Sequence, residues 1–187
     1  SGVDTVAGTI SENIDFEIEK GVLKFSGRTD VKGKITNKSN GDGKGVINTG
    51  ILTLKDEVNN NEGLITNQSS SGTLTFGSTV VSTGTIVNNG TMLMEDDVTG
   101  TGMIDNKSTG ILTIKKKEEN AVVNLGKITI ESTANVSGQI DNKNEGTTIG
   151  EIIVEDAASL TGGSAINNDG LIDIQTGILQ RDITNNG

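Results

Sequence analysis

One short phrase recurs along the chain: an aliphatic, any residue, Asn, a short spacer, Gly, any residue, and then two aliphatics separated by a single residue. The clearest copy is Ile86-Val-Asn88-Asn-Gly90-Thr-Met92-Leu-Met94. Val46-Ile-Asn48 leads in the same way to Leu52 and Leu54, Ile65-Thr-Asn67 to Leu74 and Phe76, Ile104-Asp-Asn106 to Leu112 and Ile114, and Ile166-Asn-Asn168 to Ile172 and Ile174. Ile140-Asp-Asn142 reaches Ile152-Ile-Val154 through a longer stretch, and Ile183-Thr-Asn185 opens another copy. Gly126-Lys-Ile128-Thr-Ile130 reads as a partial copy lacking the Asn half, and residues 10–37 fit more loosely. Asn48, Asn67, Asn88 and Asn106 are 19, 21 and 18 residues apart, Asn106 and Asn142 are 36 apart (two turns of 18), and the next gaps are 26 and 17, one with a looped-out insertion and one without.

A period of this length constrains the fold strongly. Each repeat is one coil of two or three short strands, unable to bury its own apolar face, so stability must come from stacking on neighbours. Alternation within a strand, as in Leu112-Thr-Ile114, sends two side chains inward and one outward. The expected inward column comprises Leu74, Phe76, Ile86, Met92, Met94, Val98, Ile104, Leu112, Ile114, Ile128, Ile130, Ile140, Ile152, Val154, Ile166, Ile172 and Ile174. Roughly eight coils at about 4.8 Å each make a rod about 40 Å long. Between strands the chain must turn sharply, and Asn tolerates the left-handed region and bonds its own backbone. Asn48, Asn67, Asn88, Asn106, Asn142 and Asn168 are therefore expected at the turns, where stacking also lets them form an internal ladder.

Composition supports a thin aliphatic core. Aromatic residues make up 2% of the 187, with no Trp and no Tyr, while Gly numbers 26. Large aromatics usually dominate a conventional core. Proline is wholly absent, which suits strands that each need two hydrogen-bonded neighbours.

The segment Gly84-Thr-Ile86-Val-Asn88-Asn-Gly90-Thr-Met92-Leu-Met94 resembles the repeats of Gram-negative type V secretion proteins: autotransporter passenger regions and filamentous-haemagglutinin-like adhesins. The resemblance covers about residues 33–187. It implies a right-handed parallel β-helix, export to the cell surface or medium, and an adhesive or spacer role. A left-handed β-helix is the rival, because Leu74, Val80, Ile86, Met92, Val98 and Ile104 place an aliphatic at every sixth position, as do Leu160, Ile166, Ile172 and Ile178. That rule lapses across residues 105–121. Residues 1–187 read as a single β-helical segment, a fragment of a longer surface protein, with Ser1-Gly2 read as a cleavage remnant.

Little in the sequence supplies catalytic chemistry. There is no His and no Cys, which removes imidazole and thiolate chemistry and the usual zinc and haem ligands. Candidates reduce to carboxylates, Lys, and Arg28 and Arg181; Asp141 and Asp173 fall at outward strand positions. No cofactor, no metal site and no catalytic residue is expected, and the ligand-binding residues are left unassigned. The triplet Glu95-Asp96-Asp97 reads as a solvated turn, and Lys115-Lys116-Lys117-Glu118-Glu119 as an exposed excursion leaving the coil at Ile114. The five Asn-x-Ser/Thr sites, at Asn37, Asn67, Asn89, Asn106 and Asn135, are read as products of composition.

A net charge of −10 argues against nucleic acid and anionic membrane as partners, and no stretch of about 18 apolar residues exists for insertion. The expected function is a segment of a bacterial surface adhesin, anchored at the outer membrane through another part or secreted, whose partner is a receptor on host cells or other bacteria. Candidate contact excursions are Lys38–Lys44, Lys115–Ala121 and Ala157–Ser164. A mechanical spacer is the alternative, a carbohydrate-active β-helix enzyme is more remote, and end-to-end self-association is a further expectation.

Overall fold

The computed structural model describes residues 2–8, 10, 13–39 and 44–186. Among these the ordered elements are strands, with no helix. Thr85–Asn88, Thr91–Met94 and Val98–Thr99 make one turn of the coil, and Met103–Asn106 begins the next. Each strand pairs in parallel with its counterparts one turn before and after. Ile86 lies between Ile65 and Ile104, and Met92 between Leu74 and Leu112. The result is a β-solenoid with three long parallel sheets of ten, eight and nine strands. The first runs from Val3–Ala7 to Ile183–Asn185, the second from Arg28–Val31 to Leu171–Ile174, and the third from Phe16–Ile18 to Ile178–Leu179.

Period-two alternation then fixes the core. Leu74, Phe76, Ile86, Met92, Met94, Val98, Ile104, Leu112, Ile114, Ile128, Ile130, Ile140, Ile152, Val154 and Ile166 are buried. Each full burial of such a side chain contributes about 1.5–3 kcal/mol. Ile172 and Ile174 are only partly buried, because their strand is the last of the second sheet.

The structure corrects the sequence reading in several places. The coil has about nine turns, in line with the roughly eight expected, and Val3–Ala7 and Phe16–Ile18 form the first, where Phe16 meets Phe25 edge to face. Gly126-Lys-Ile128 does not lack its Asn half, because Ala121–Asn124 is a first-sheet strand and Asn124 stacks between Asn106 and Asn142. Lys115–Glu119 is not an excursion: Lys117–Glu118 is a third-sheet strand, and Glu118 is fully buried in line with Val98 and Val136. Ala121 likewise belongs to a strand, so nothing protrudes across Lys115–Ala121. In Ala157–Ser164, Ala158 and Leu160 are core residues, and only Ala157 and the end of the span, Gly162 to Ser164, are exposed. Of Lys38–Lys44, residues 40–43 lie outside the described residues, while Ser39 is buried.

The turn asparagines also work differently from the expectation. None has positive φ; the non-glycine residues that do are Glu62, Thr133 and Ala157. Each ladder Asn ends a strand with its side chain inward, and the carboxamide oxygen caps the turn, as where the Gly90 N–H donates to Asn88 Oδ1 at 3.2 Å. Glycine follows because backbones crowd at this corner. A Cβ on Gly90 would overlap the Gly72 carbonyl, and one on Gly126 the Gly110 carbonyl. The recurring Asn-x-Gly is thus a cap plus a close approach of stacked backbones.

Candidate functional site

The ladder asparagines form a continuous internal row. Nδ2 of each donates to Oδ1 of the next: Asn48 to Asn67 and Asn67 to Asn88 at 2.9 Å, Asn88 to Asn106 at 2.9 Å, Asn106 to Asn124 at 2.8 Å, Asn124 to Asn142 at 2.7 Å, Asn142 to Asn168 at 2.8 Å and Asn168 to Asn185 at 3.2 Å. Most of the same amides also donate to a backbone carbonyl of the next turn, such as Asn106 to Lys127 O at 3.1 Å. Buried polar groups are expensive unless paired, and here the pairing is nearly complete. These residues are occupied in holding turns together and, apart from the terminal Asn185, are buried.

Among the described residues one hairpin departs from the stack of parallel strands. After Asn142, where regular turns read Asn-x-Gly, six extra residues form an antiparallel hairpin, Asn144–Glu145 with Thr148–Ile149. Gly146, the first of its two loop residues, has φ 61, as a tight hairpin loop requires. The Asn144 side-chain amide bonds the Asp169 carbonyl of the next turn, pinning the hairpin base. Ile149 stands out from it with 60% of its surface exposed.

Beside the hairpin a groove of about 410 Å³ runs over the first sheet, lined by Asp105, Lys107, Val123, Leu125, Lys143, Asn144 and Glu145. Val123 and Asp105 occupy one outward column, and Lys107, Leu125 and Lys143 the column just past the ladder. Val123 and Leu125 supply an apolar floor. Lys107, paired with Asp105 at 2.5 Å, and Lys143 with Glu145 supply both signs of charge at the walls. Such a groove suits a polar chain with some apolar surface, held by side contacts.

Other candidate groups are dispersed. Asp141 faces out from the first sheet and accepts from Asn167 Nδ2 at 2.7 Å, whereas Asp173 faces out from the second sheet, so the two do not converge. Asp97 of the acidic triplet accepts the Lys117 N–H at 3.2 Å, Asp96 accepts the Asp97 N–H, and Glu95 lies 3.7 Å from Lys115. The triplet thus braces one turn against the next. Arg28 is exposed, while Arg181 is buried. Sequence reading detected an insertion after Asn142 but not the groove beside it; the signal was the apolar pair Val123 and Leu125 at positions that face outward.

Comparison with protein-family models, with curated proteins and with solved structures finds no match. What the fold defines is a β-solenoid repeat protein, whose surface carries a hairpin-flanked groove of mixed polarity.

Proposed function

We propose that this chain is an extracellular segment of a bacterial surface adhesin, attaching to host cells or other bacteria through the side of its rod. The observation that carries the reading is the hairpin at residues 144–149, the one antiparallel pairing among the described residues, set beside an amphipathic groove. Loops that depart from a rigid scaffold are where recognition concentrates. The repeat phrase around Asn88 supports placement at the surface or in the medium, by its resemblance to type V secretion passengers. The dispersal of the outward carboxylates supports a non-enzymatic role, and the acidic net charge supports a partner other than nucleic acid.

The second reading, a spacer without binding of its own, draws on the ladder of amides and the continuous aliphatic column, which suit a stiff rod. Labelled, monodisperse protein applied to host cells and to other bacteria over a range of salt separates the two. Saturable binding that persists at physiological salt supports the adhesin. Absence of binding from folded, rod-shaped protein makes it a spacer.

A further inference from the structure

In the third sheet a second column lies two residues beyond the aliphatic one: Asn37, Asn60, Ser82, Gly100, Asn120, Gly138, Gly162 and Arg181 follow Ile35, Val58, Val80, Val98, Glu118, Val136, Leu160 and Leu179, and of these Asn37, Asn60, Ser82, Asn120, Gly138 and Arg181 are buried. Its first members copy the main ladder, with Asn37 Nδ2 donating to Asn60 Oδ1 at 2.9 Å and Asn60 Nδ2 to Ser82 Oγ at 3.1 Å. Further along, the column changes character. Glu118 takes an aliphatic's place in the core, fully buried. Two turns and then three turns beyond it stand Gly162, with no side chain, and Arg181, whose side chain runs back along the axis until Nη1 donates to the Gly138 carbonyl at 2.6 Å. Arg181 is 7% exposed.

The polar atoms at this corner are mostly unpaired within the protein. Glu118 Oε1 accepts the Asn120 N–H at 2.8 Å. Glu118 Oε2, both amide atoms of Asn120, and Nε and Nη2 of Arg181 are buried without a hydrogen-bond partner. The Arg181 guanidinium reaches Gly138, one turn short of Glu118, and no ion pair within 4.0 Å joins the two. A carboxyl and a guanidinium buried without hydrogen-bond partners are costly. Glycines at 138 and 162 leave the column without side chains between the two. Water is the small ligand that both donates and accepts, and buried waters typically make about three hydrogen bonds to such groups.

We propose that this corner is an internal hydration site, in which ordered water enclosed by Glu118, Asn120, Gly138 and Arg181 bridges carboxyl to guanidinium and fastens the last turn to the turn of Glu118. The bridge completes the hydrogen bonding of five otherwise orphaned atoms and links the carboxyl to the guanidinium. It also accounts for Glu118 standing where the neighbouring turns carry Val98 and Val136.

A crystal structure of the whole chain at better than about 1.5 Å, grown or soaked in bromide, decides the matter. The expected result is density within hydrogen-bonding distance of both Glu118 Oε2 and Arg181 Nη2, refining as water with no anomalous bromine signal. A bromide signal there would make the site an anion pocket and overturn the proposal. So would a direct Glu118–Arg181 contact, or a corner with no density.

Discussion

Replacing Asn106 with Ala removes one rung from the middle of the amide ladder. The side chain has four hydrogen-bond partners, accepting from Asn88 and sharing the two Nδ2 hydrogens among Asn124 Oδ1 and the Gly110 and Lys127 carbonyls. Several partners keep another bond: Asn88 Nδ2 still donates to Ile111 O, Asn124 Oδ1 still accepts from Gly126 N–H, and Gly110 O still accepts from Lys127 N–H. The loss is therefore nearer the net value of a hydrogen bond, about 1 kcal/mol each, than the full desolvation penalty. Part of it overlaps, giving about 3 kcal/mol, or a fall in Tm of roughly 6–12 °C for a chain this size. Asn185→Ala is the control. Asn185 is exposed and only accepts, from Asn168 at 3.2 Å, so its loss should stay below about 1 kcal/mol. Urea unfolding followed by far-UV circular dichroism, with thermal melts alongside, measures both. Equal effects for the two variants, or an Asn106→Ala cost within about 1 kcal/mol of zero, would refute a stabilising ladder.

Other outcomes follow from the same geometry. Ile86→Asp puts an unpaired carboxylate between Ile65 and Ile104 and should cost more than about 4 kcal/mol, whereas Thr85→Asp, at a half-exposed outward position, should change the melt little; equal shifts would contradict the register. Burial pushes the Glu118 carboxyl up to about 8 from its ordinary 4.5. Its native state therefore holds the proton more tightly than the unfolded chain, so its contribution is intact below pH 4.5 and lost as pH rises through about 8, approaching about 5 kcal/mol at most. Glu118→Gln should accordingly raise Tm relative to the parent at pH 9 and leave it close at pH 4, measured by calorimetry. Arg181→Met keeps the apolar stem and removes the guanidinium, and should lower hydrogen-exchange protection at Ile178–Gln180 while leaving Thr85–Met94 unchanged.

The repeat and its inward residues were legible because small aliphatics at strict alternate positions separate the two faces of a strand, as in Ile86-Val-Asn88 and Leu112-Thr-Ile114. Legibility failed where one face departed from its type. In Val122-Val-Asn124-Leu-Gly126 the outward Val123 and Leu125 are apolar, so the alternation blurs and Asn124 is lost; those same two residues floor the groove. Glu118 sits within a run of lysines and reads as solvated, and only its spacing from Val98 and Val136, 20 and 18 residues, marks it as a core position. Arg181 gave no signal at all, because its partner Gly138 is 43 residues away. The ladder asparagines were placed correctly at turns but credited with a left-handed backbone, when side-chain capping and the following glycine make the corner.

The hairpin offers the most direct test of the binding account. Deleting Asn144–Ile149 joins Asn142-Lys143 to Gly150, which restores the Asn-x-Gly of a regular turn, since Gly150 precedes the strand paired to Lys127–Ile130 just as Gly126 does. The shortened chain should melt within a few degrees of the parent, because the excised residues bury little. Saturable cell binding should then be compared between parent and deletion variant at physiological salt. The account predicts loss of at least tenfold in affinity with the fold intact. Undiminished binding by a folded deletion variant would contradict the assignment of the hairpin-flanked groove as the contact surface.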